Sequence, residues 1–139
     1  MPIDPKRESW KPGMPWEKAL KDIDYVKDLA KELGGPERVA RQHSGGRYTV
    51  RERIDLMLDP GSFVEAGPIV GGAEFDEDGN LREFTPGAYV MGLGEINGRP
   101  VAIGGDDFTI SGGSPHNVSK GSRQFTMPLS IQYGIPYIQ

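Results

Sequence analysis

A glycine-rich stretch offers the most chemistry in this sequence. Residues 101–121, VAIGGDDFTISGGSPHNVSKG, pass from a β-branched run to the nearly bare backbone of residues 110–113. Peptide N–H groups can approach a ligand only where no side chain intervenes. Ser114 and Pro115 then predict a helix start, where free amides favour an anion. The stretch predicts an anion-binding turn, and the alternative is a glycine-rich connection without a ligand.

The histidines and paired aspartates are weaker candidates. The sequence has no cysteine, and His43 and His116 lack the spacing of zinc ligands. We expect ordinary surface or hydrogen-bonded histidines and no metal site. Asp106 and Asp107 are adjacent, so in a strand their side chains would point to opposite faces. This favours a structural role, with Asp107 capping the following turn.

The composition argues against several classes of partner. The chain has 139 residues, with 16 basic and 20 acidic side chains and a net charge of −4. It has no long run of Lys or Arg, so we expect no nucleic acid. No apolar stretch reaches about 18 residues, and the N-terminus lacks the apolar segment of a signal peptide. We therefore expect no membrane association and a cytoplasmic protein.

Helical signals dominate the first part of the chain. Residues 1–15 contain four prolines and predict an extended arm, unless they form a partly disordered tail. From Trp16 to Leu33, apolar residues recur at every third or fourth position, and Gly34-Gly35 then predicts a glycine C-cap. A second short helix is expected over residues 37–42.

A third helix has the clearest start signal. Thr49 and Glu52 stand in the spacing of a capping box, in which each side chain bonds the other's backbone amide. Val50, Ile54, Met57 and Leu58 then share one face. Asp59-Pro60-Gly61 has the turn chemistry that ends such a helix.

Strand signals follow. They cover residues 62–65, an excursion with a turn at 76–80, and residues 88–96. Asn97-Gly98 supplies the positive φ angles of a type I′ turn and predicts an antiparallel hairpin with the run after it. The helix that starts at Ser114 should kink or break near Thr126, because Pro128 opposes a straight helix. A glycine-terminated helix end and a last strand close the sequence, which looks cut short.

Two motifs carry a family resemblance. Residues 41–67, RQHSGGRYTVRERIDLMLDPGSFVEAG, and residues 97–125, NGRPVAIGGDDFTISGGSPHNVSKGSRQF, resemble the carboxyltransferase (β) subunit of biotin-dependent acyl-CoA carboxylases, of the propionyl-CoA carboxylase β type. The similarity covers roughly residues 36–139. Just before the aspartate, this sequence has Gly104-Gly105 where the family usually has other small residues such as Ala. This difference predicts a looser strand.

The resemblance implies an α/β, crotonase-like ββα spiral fold, of which this chain supplies the N-terminal part of the first carboxyltransferase domain, preceded by N-terminal helices. Residues 1–35 would form the arm and amphipathic helix, and residues 36–139 the start of that domain. The implied reaction transfers a carboxyl group from carboxybiotin to the α-carbon of an acyl-CoA, with the enolate stabilised by backbone amides. The glycine pair that best fits the oxyanion donor would lie beyond Gln139. This segment would therefore hold no complete catalytic centre and should be inactive alone.

The resemblance also implies a site and partners. Ser111, Gly112, Gly113 and Ser114 would line the acyl-CoA channel, and Lys120, Arg123 and Arg47 could pair with CoA phosphates. The implied cofactor is biotin, carried as carboxybiotin on a carrier protein or domain. Biotin carboxylase and biotin carboxyl carrier subunits would be partners, in a homo-oligomer that is a hexamer by resemblance. A biotin-dependent decarboxylase subunit and a non-catalytic assembly module remain alternatives.

Overall fold

The computed structural model describes residues 1–114 and 120–139, and the side chains of residues 120–124 are not described. Helices α1 (Trp16–Lys31), α2 (Pro36–Ser44) and α3 (Val50–Met57) come first. Strands β1 (Val64–Glu65), β2 (Gly71–Phe75), β3 (Leu81–Pro86), β4 (Tyr89–Ile96) and β5 (Arg99–Asp106) follow. A 3₁₀ turn at Ser111–Gly113, helix α4 (Lys120–Tyr133) and strand β6 (Tyr137–Ile138) complete the order.

The larger sheet has the strand order β1-β4-β5-β6. Strands β4 and β5 are antiparallel, and Asn97 and Gly98 between them have φ angles of 51° and 72°. These are the left-handed values of a type I′ turn, so the predicted hairpin is confirmed. Strand β6 lies parallel to β5 after α4, with Ala102 opposite Tyr137. Strands β4 and β5 with α4 thus form one ββα unit, and β6 joins the same sheet after the helical crossover.

Strands β2 and β3 form a separate two-stranded sheet. The predicted turn lies between them, where Asp76 accepts hydrogen bonds from the Asn80 amide at 2.8 Å and from Arg82 Nε at 2.7 Å. The Asn80 amide is the main reason that the pKa of Asp76 falls to about 2. The sequence predicted an excursion with this turn but gave no bounds for its two strands; β2 opens with two glycines, and four of its five residues are exposed.

The N-terminal arm packs on its own chain. Ile3 is buried, and its amide donates to the Arg82 carbonyl at 2.9 Å. The rings of Trp10 and Trp16 stack with centroids 5.1 Å apart. These contacts place the arm against β3 and the start of α1, and they favour the predicted arm over a free tail.

Asp22 joins the arm to α1. Its carboxylate accepts hydrogen bonds from the Trp10 amide, Lys18 and Arg7. Burial alone would raise the pKa of Asp22, but these three donors together lower it below its usual value.

Helix α1 begins at Trp16 as predicted but ends at Lys31, two residues before the end of the apolar pattern. The left-handed residue after it is Leu33, with φ 56°, so the predicted glycine C-cap is wrong. Gly34 is required instead by a close approach, because a Cβ there would lie 2.2 Å from the carbonyl oxygen of Thr109. The predicted apolar face is buried only toward its C-terminal end, where Ala30 and Leu33 lie, whereas Trp16 is 72% exposed.

The next two helices agree with the sequence. Helix α2 extends beyond the predicted residues 37–42 at both ends. At the start of α3 the Glu52 amide donates to Thr49 Oγ1 at 3.3 Å, and the Thr49 amide donates to Glu52 Oε2 at 2.6 Å. The capping box is therefore confirmed. His43 Nε2 lies 3.0 Å from the same carboxylate, so His43 is a hydrogen-bonded surface residue as predicted.

The core lies between α3 and the β4–β5 hairpin. Its buried apolar residues are Leu33, Val50, Ile54, Leu58, Val90, Val101 and Ile103. Gly104 and Gly105 do not loosen β5, contrary to prediction. A Cβ would lie 2.3 Å from Tyr89 Oη at position 104 and 2.9 Å from Val50 Cγ2 at position 105. The absence of side chains lets the ring and the helix pack directly on the strand.

Helix α4 runs through Pro128 without the predicted break near Thr126. Thr126 is buried, and its hydroxyl lies 3.1 Å from Met91 Sδ on β4. Packing on the sheet thus outweighs the unfavourable proline. The helix ends at Gly134, with φ 64°, and the Ile135 amide donates to the Ser130 carbonyl at 3.0 Å, which is a Schellman motif. The predicted helix start at Ser114-Pro115 is not tested, because residues 115–119 lie outside the described part of the chain.

Candidate functional site

A buried hydrogen-bond network fixes the segment after β5. Asp107 Oδ1 accepts from the Thr109 amide at 2.9 Å and from Thr109 Oγ1 at 2.7 Å. Thr109 Oγ1 in turn accepts from the Gly34 amide at 2.8 Å. Asp107 is fully buried, and its bonds confirm the predicted turn-capping role. The segment is thereby attached to the end of α1.

The turn that follows has an unusual backbone. Ser111, Gly112 and Gly113 all have positive φ angles, of 48°, 65° and 74°. Residues other than glycine rarely adopt a positive φ, and here three consecutive residues do so. A Cβ added at Gly112 would meet no atom within 4 Å. Gly112 therefore allows the positive φ of the turn, and its missing side chain leaves the space beside the turn open.

Two of the amides in the turn have internal acceptors. The Gly113 amide donates to the Ile110 carbonyl at 2.9 Å, and the Ser114 amide donates to the Ser111 carbonyl at 3.2 Å. Within the described residues, no acceptor contacts the amides of Ser111 and Gly112. The amides available to a ligand are therefore those of Ser111 and Gly112, which precede the predicted helix start at Ser114-Pro115. Residues 115–119 of that start lie outside the described residues.

The turn borders a cavity of about 440 Å³. The lining residues are Arg38, Arg41, Gln42, Phe108, Thr109, Ser111 and Gly112. Helix α2 supplies two guanidinium groups, and the segment after β5 supplies the aromatic ring and the backbone. Arg38 Nη1 lies 3.5 Å from the Thr109 carbonyl, so one guanidinium is also held against that segment.

A second cavity of about 320 Å³ lies beside the first. It is lined by Gln42, Gly46, Arg47, Tyr48, Arg53 and Phe108. Gln42 and Phe108 line both cavities, so the two share a wall. Arg53 Nη2 donates to the Asp106 carbonyl at 3.1 Å. In the described part of the chain, no carboxylate pairs with Arg41 or Arg47.

The structure brings some of the predicted site residues together. Ser111 and Gly112 line the first cavity, and Arg47 lines the second. A Cβ on Gly113 would lie 3.3 Å from Asp106 Cβ, and Ser114 is exposed. Lys120 and Arg123 belong to α4, but their side chains, like all of His116, lie outside the described residues.

Sequence reasoning missed Arg38, Arg41 and Phe108. Arg38 and Arg41 are three residues apart on α2 and therefore share a helix face, which was the available signal. Nothing in the sequence places that face against the segment after β5. Arg51, by contrast, is bidentate to Glu65 at 2.8 and 2.9 Å and is not part of either cavity. The residues that line the two cavities include four arginines and no carboxylate, so this surface is basic although the net charge of the chain is −4.

Other site types find little support among residues 1–114 and 120–139. No group of three or more His, Asp or Glu side chains there is arranged to hold a metal ion. In the same residues, no helix has the length and apolarity needed to cross a bilayer.

The chain is similar to known carboxylase subunits. It is 38% identical over 118 residues to the mitochondrial propionyl-CoA carboxylase beta chain of Mus musculus, covering 84% of this chain and 22% of that protein. It is 36% identical over 121 residues to the propionyl-CoA carboxylase beta chain of Roseobacter denitrificans, covering 86% and 23%. Transcarboxylase 12S, a hexamer solved with hydrolysed methylmalonyl-coenzyme A bound, superposes with a TM-score of 0.76 at 30% identity, covering 92% of this chain and 25% of that one.

These matches settle fold and family. The chain spans no more than 25% of the length of these three relatives. The similarity to transcarboxylase 12S and the observed ββα unit confirm a partial crotonase-like α/β fold. The family model described as "Carboxyl transferase domain" matches residues 41–138, and the chain belongs to that family.

Proposed function

We propose that this chain is the N-terminal part of a carboxyltransferase subunit that moves a carboxyl group from carboxybiotin to the α-carbon of an acyl-CoA of the propionyl-CoA or acetyl-CoA type. The observation that carries the proposal is the open, positively charged cavity beside the turn at Ser111–Gly113 in a chain of this family. Residues 1–35 would be the arm and first helix, and residues 36–139 the start of the carboxyltransferase domain.

In this proposal, the described residues bind the substrate and leave the bond chemistry to the rest of the subunit. The amides of Ser111 and Gly112 donate to the CoA part of the substrate, because neither has an acceptor among the described residues. Arg47 faces the phosphates, and Lys120 and Arg123 are the other candidates to pair with them. Gly113 and Ser114 hold the turn in shape through their internal hydrogen bonds. The segment alone should therefore bind weakly and turn over nothing.

Biotin enters as the second substrate, carboxybiotin, on a carrier protein or domain. Biotin carboxylase and biotin carboxyl carrier subunits are accordingly the expected partners. Because transcarboxylase 12S is a hexamer, we propose a homo-oligomer of the same kind, working in the cytoplasm. The similar proteins are carboxylase and transcarboxylase subunits, which favours carboxyl transfer over decarboxylation or a purely structural role.

The test is carboxyl transfer by the full-length subunit of which this chain is proposed to be the N-terminal part, supplied with carboxybiotin carrier and propionyl-CoA. We expect ¹⁴C-labelled carboxyl to appear on the acyl-CoA. Gly112→Val should raise the KM for acyl-CoA, because a β-branched residue strains a positive φ and closes the turn. Gly72→Val is the matched control, since position 72 lies in β2 with no atom within 4 Å of an added Cβ.

Two results would count against the proposal at different levels. Absence of transfer to any acyl-CoA by the wild-type full-length subunit would remove the proposed activity. Normal transfer with an unchanged KM in a folded Gly112→Val variant would keep the activity and remove the turn from the substrate site.

A further inference from the structure

We propose that Thr109 is a positioning residue for substrate binding, and that it holds the turn at Ser111–Gly113 in place by joining it to the glycine after α1. The inference rests on the proposed function and deepens it, because it gives residues 1–35 a part in substrate binding. Gly34, which contacts Thr109, lies before residues 41–138, the part that the family model matches.

The hydroxyl of Thr109 lies in the middle of a buried chain of hydrogen bonds. It accepts from the Gly34 amide at 2.8 Å and donates to Asp107 Oδ1 at 2.7 Å. Thr109 and Asp107 are both buried, so water does not replace either bond. A hydroxyl can donate and accept at once, and bonds in series strengthen each other in an interior of low dielectric constant. A methyl group in its place would break both connections together.

The carboxylate of Asp107 depends on the same residue. Its Oδ1 also accepts from the Thr109 amide at 2.9 Å, whereas its buried Oδ2 has no hydrogen-bond partner. Among the described residues, the bonds to Thr109 are therefore what hold this side chain. A buried carboxylate that loses them would be left uncompensated, which is unfavourable. Asp107 and Thr109 thus act as one unit at the end of β5.

The backbone of Thr109 is held by the same glycine. A Cβ on Gly34 would lie 2.2 Å from the Thr109 carbonyl oxygen, so the two backbones are in direct contact. Leu33, the neighbour of Gly34, belongs to the buried core between α3 and the β4–β5 hairpin. The core therefore fixes the position of Gly34, and Gly34 fixes both the hydroxyl and the carbonyl of Thr109.

One buried residue, Ile110, separates Thr109 from the turn. The Ile110 amide donates to the Asp107 carbonyl at 3.2 Å, and its carbonyl accepts from the Gly113 amide at 2.9 Å. A shift of Thr109 would therefore be passed on to the amides of the turn. Because displacement of a positioning group by about 1 Å can be costly, we expect the loss of the hydroxyl to weaken substrate binding. The bond chemistry, which the rest of the subunit supplies, should not change.

Steady-state kinetics of the full-length subunit with propionyl-CoA tests this role. Thr109→Val should raise the KM for acyl-CoA about 10-fold, comparable to the loss of one hydrogen bond, and leave kcat unchanged. Thr109→Ser keeps the hydroxyl and should restore a KM near that of wild type. Thr85→Val, at an exposed position of β3, is the matched control and should change neither constant.

Hydrogen exchange of the wild-type subunit provides a second test that needs no variant. Coupling between two sites is reciprocal, so a ligand that orders the turn must also stabilise what holds the turn. Saturating propionyl-CoA should therefore slow amide exchange at Gly34 as well as in the turn. Strand β2, which has no contact with this network, should exchange at the same rate with and without the ligand.

The outcomes separate this inference from the proposed function. If the wild-type subunit transfers carboxyl groups while a folded Thr109→Val variant keeps its KM, the positioning role is wrong and the activity stands. The role is also wrong if Thr109→Ser raises the KM as much as Thr109→Val, or if the ligand slows exchange in the turn but not at Gly34. A wild-type subunit that transfers carboxyl to no acyl-CoA would instead remove the proposed function, and this inference with it.

Discussion

Glycines in two regions of this chain serve opposite purposes. At the junction of α1, β5 and the segment after it, Gly34 and Gly104 are enclosed, and a Cβ would lie 2.2 Å from Thr109 O or 2.3 Å from Tyr89 Oη. In the turn at Ser111–Gly113, Gly112 faces open space and has a φ of 65°. Glycine lets the backbone approach other protein atoms in the first region and leaves it accessible in the second. Amino-acid composition alone does not distinguish an enclosed glycine from an open one.

The largest effect should come from filling an enclosed glycine. Gly34→Ala would place a methyl group against the carbonyl of Thr109, and backbone cannot move aside as a flexible side chain can. We expect a loss of about 3 kcal/mol in the free energy of unfolding, at the upper end for overpacking. Thermal and urea unfolding of the full chain would measure it.

Gly72→Ala is the matched control for this substitution. Position 72 has ordinary strand geometry and no atom within 4 Å of an added Cβ. It should be neutral or slightly stabilising, since alanine restricts the unfolded chain. Equal effects of the two substitutions would contradict the distinction between enclosed and open glycines.

The second prediction concerns the Thr109 hydroxyl, which attaches the segment after β5 to the end of α1. Thr109→Val keeps the shape of the side chain but removes its bonds to Asp107 Oδ1 and to the Gly34 amide. Because these groups are buried, we expect a loss of about 2 kcal/mol. Amide hydrogen exchange should also become faster at Gly34. Thr85→Val, on the exposed side of β3, should change stability by less than about 0.5 kcal/mol, and a comparable loss there would argue against the network.

The third prediction addresses the open glycine. Gly112→Ala adds a side chain that meets nothing, so its cost should be only that of a positive φ, about 1 kcal/mol. Gly112→Asn should cost less, because asparagine tolerates this region better than alanine. Urea unfolding of both variants checks the order. A cost as large as that of Gly34→Ala would mean that the turn is enclosed.

Local signals in the sequence predicted the elements that local chemistry determines. The type I′ turn at Asn97-Gly98 and the capping box of Thr49 and Glu52 depend on residues a few positions apart, and both are confirmed. The predicted glycine C-cap of α1 was wrong. Gly34 is needed where the backbone packs closely on the Thr109 carbonyl, and Leu33 adopts the left-handed conformation after the helix.

The candidate site shows the same limit. The bare backbone at Ser111 and Gly112 was visible in the sequence, since it depends on residue type. The arginine-lined cavity was not, because it exists only when α2 lies against the segment after β5 and brings Arg38 and Arg41 beside Phe108. A pattern on one helix does not say which distant segment will face it.

The smallest effect separates charge from packing. The Thr49 amide, followed by His43, lowers the pKa of Glu52 from its usual 4.5 to about 2 in the folded chain. A group with a lowered folded pKa stabilises the fold above its unfolded pKa, and that contribution disappears as the pH falls through the folded value. Glu52→Gln should therefore be destabilised relative to wild type at pH 7, and the difference should shrink between pH 4.5 and about 2.

The cost of Gly34→Ala supplies the comparison for that titration. It arises from repulsion between uncharged atoms, so it should stay constant over the same pH range. Urea unfolding of wild type, Glu52→Gln and Gly34→Ala at pH 7, 4.5 and 3 would show one difference that titrates and one that does not. If the Glu52→Gln difference is the same at all three pH values, the negative charge of Glu52 does not contribute to the stability of the fold.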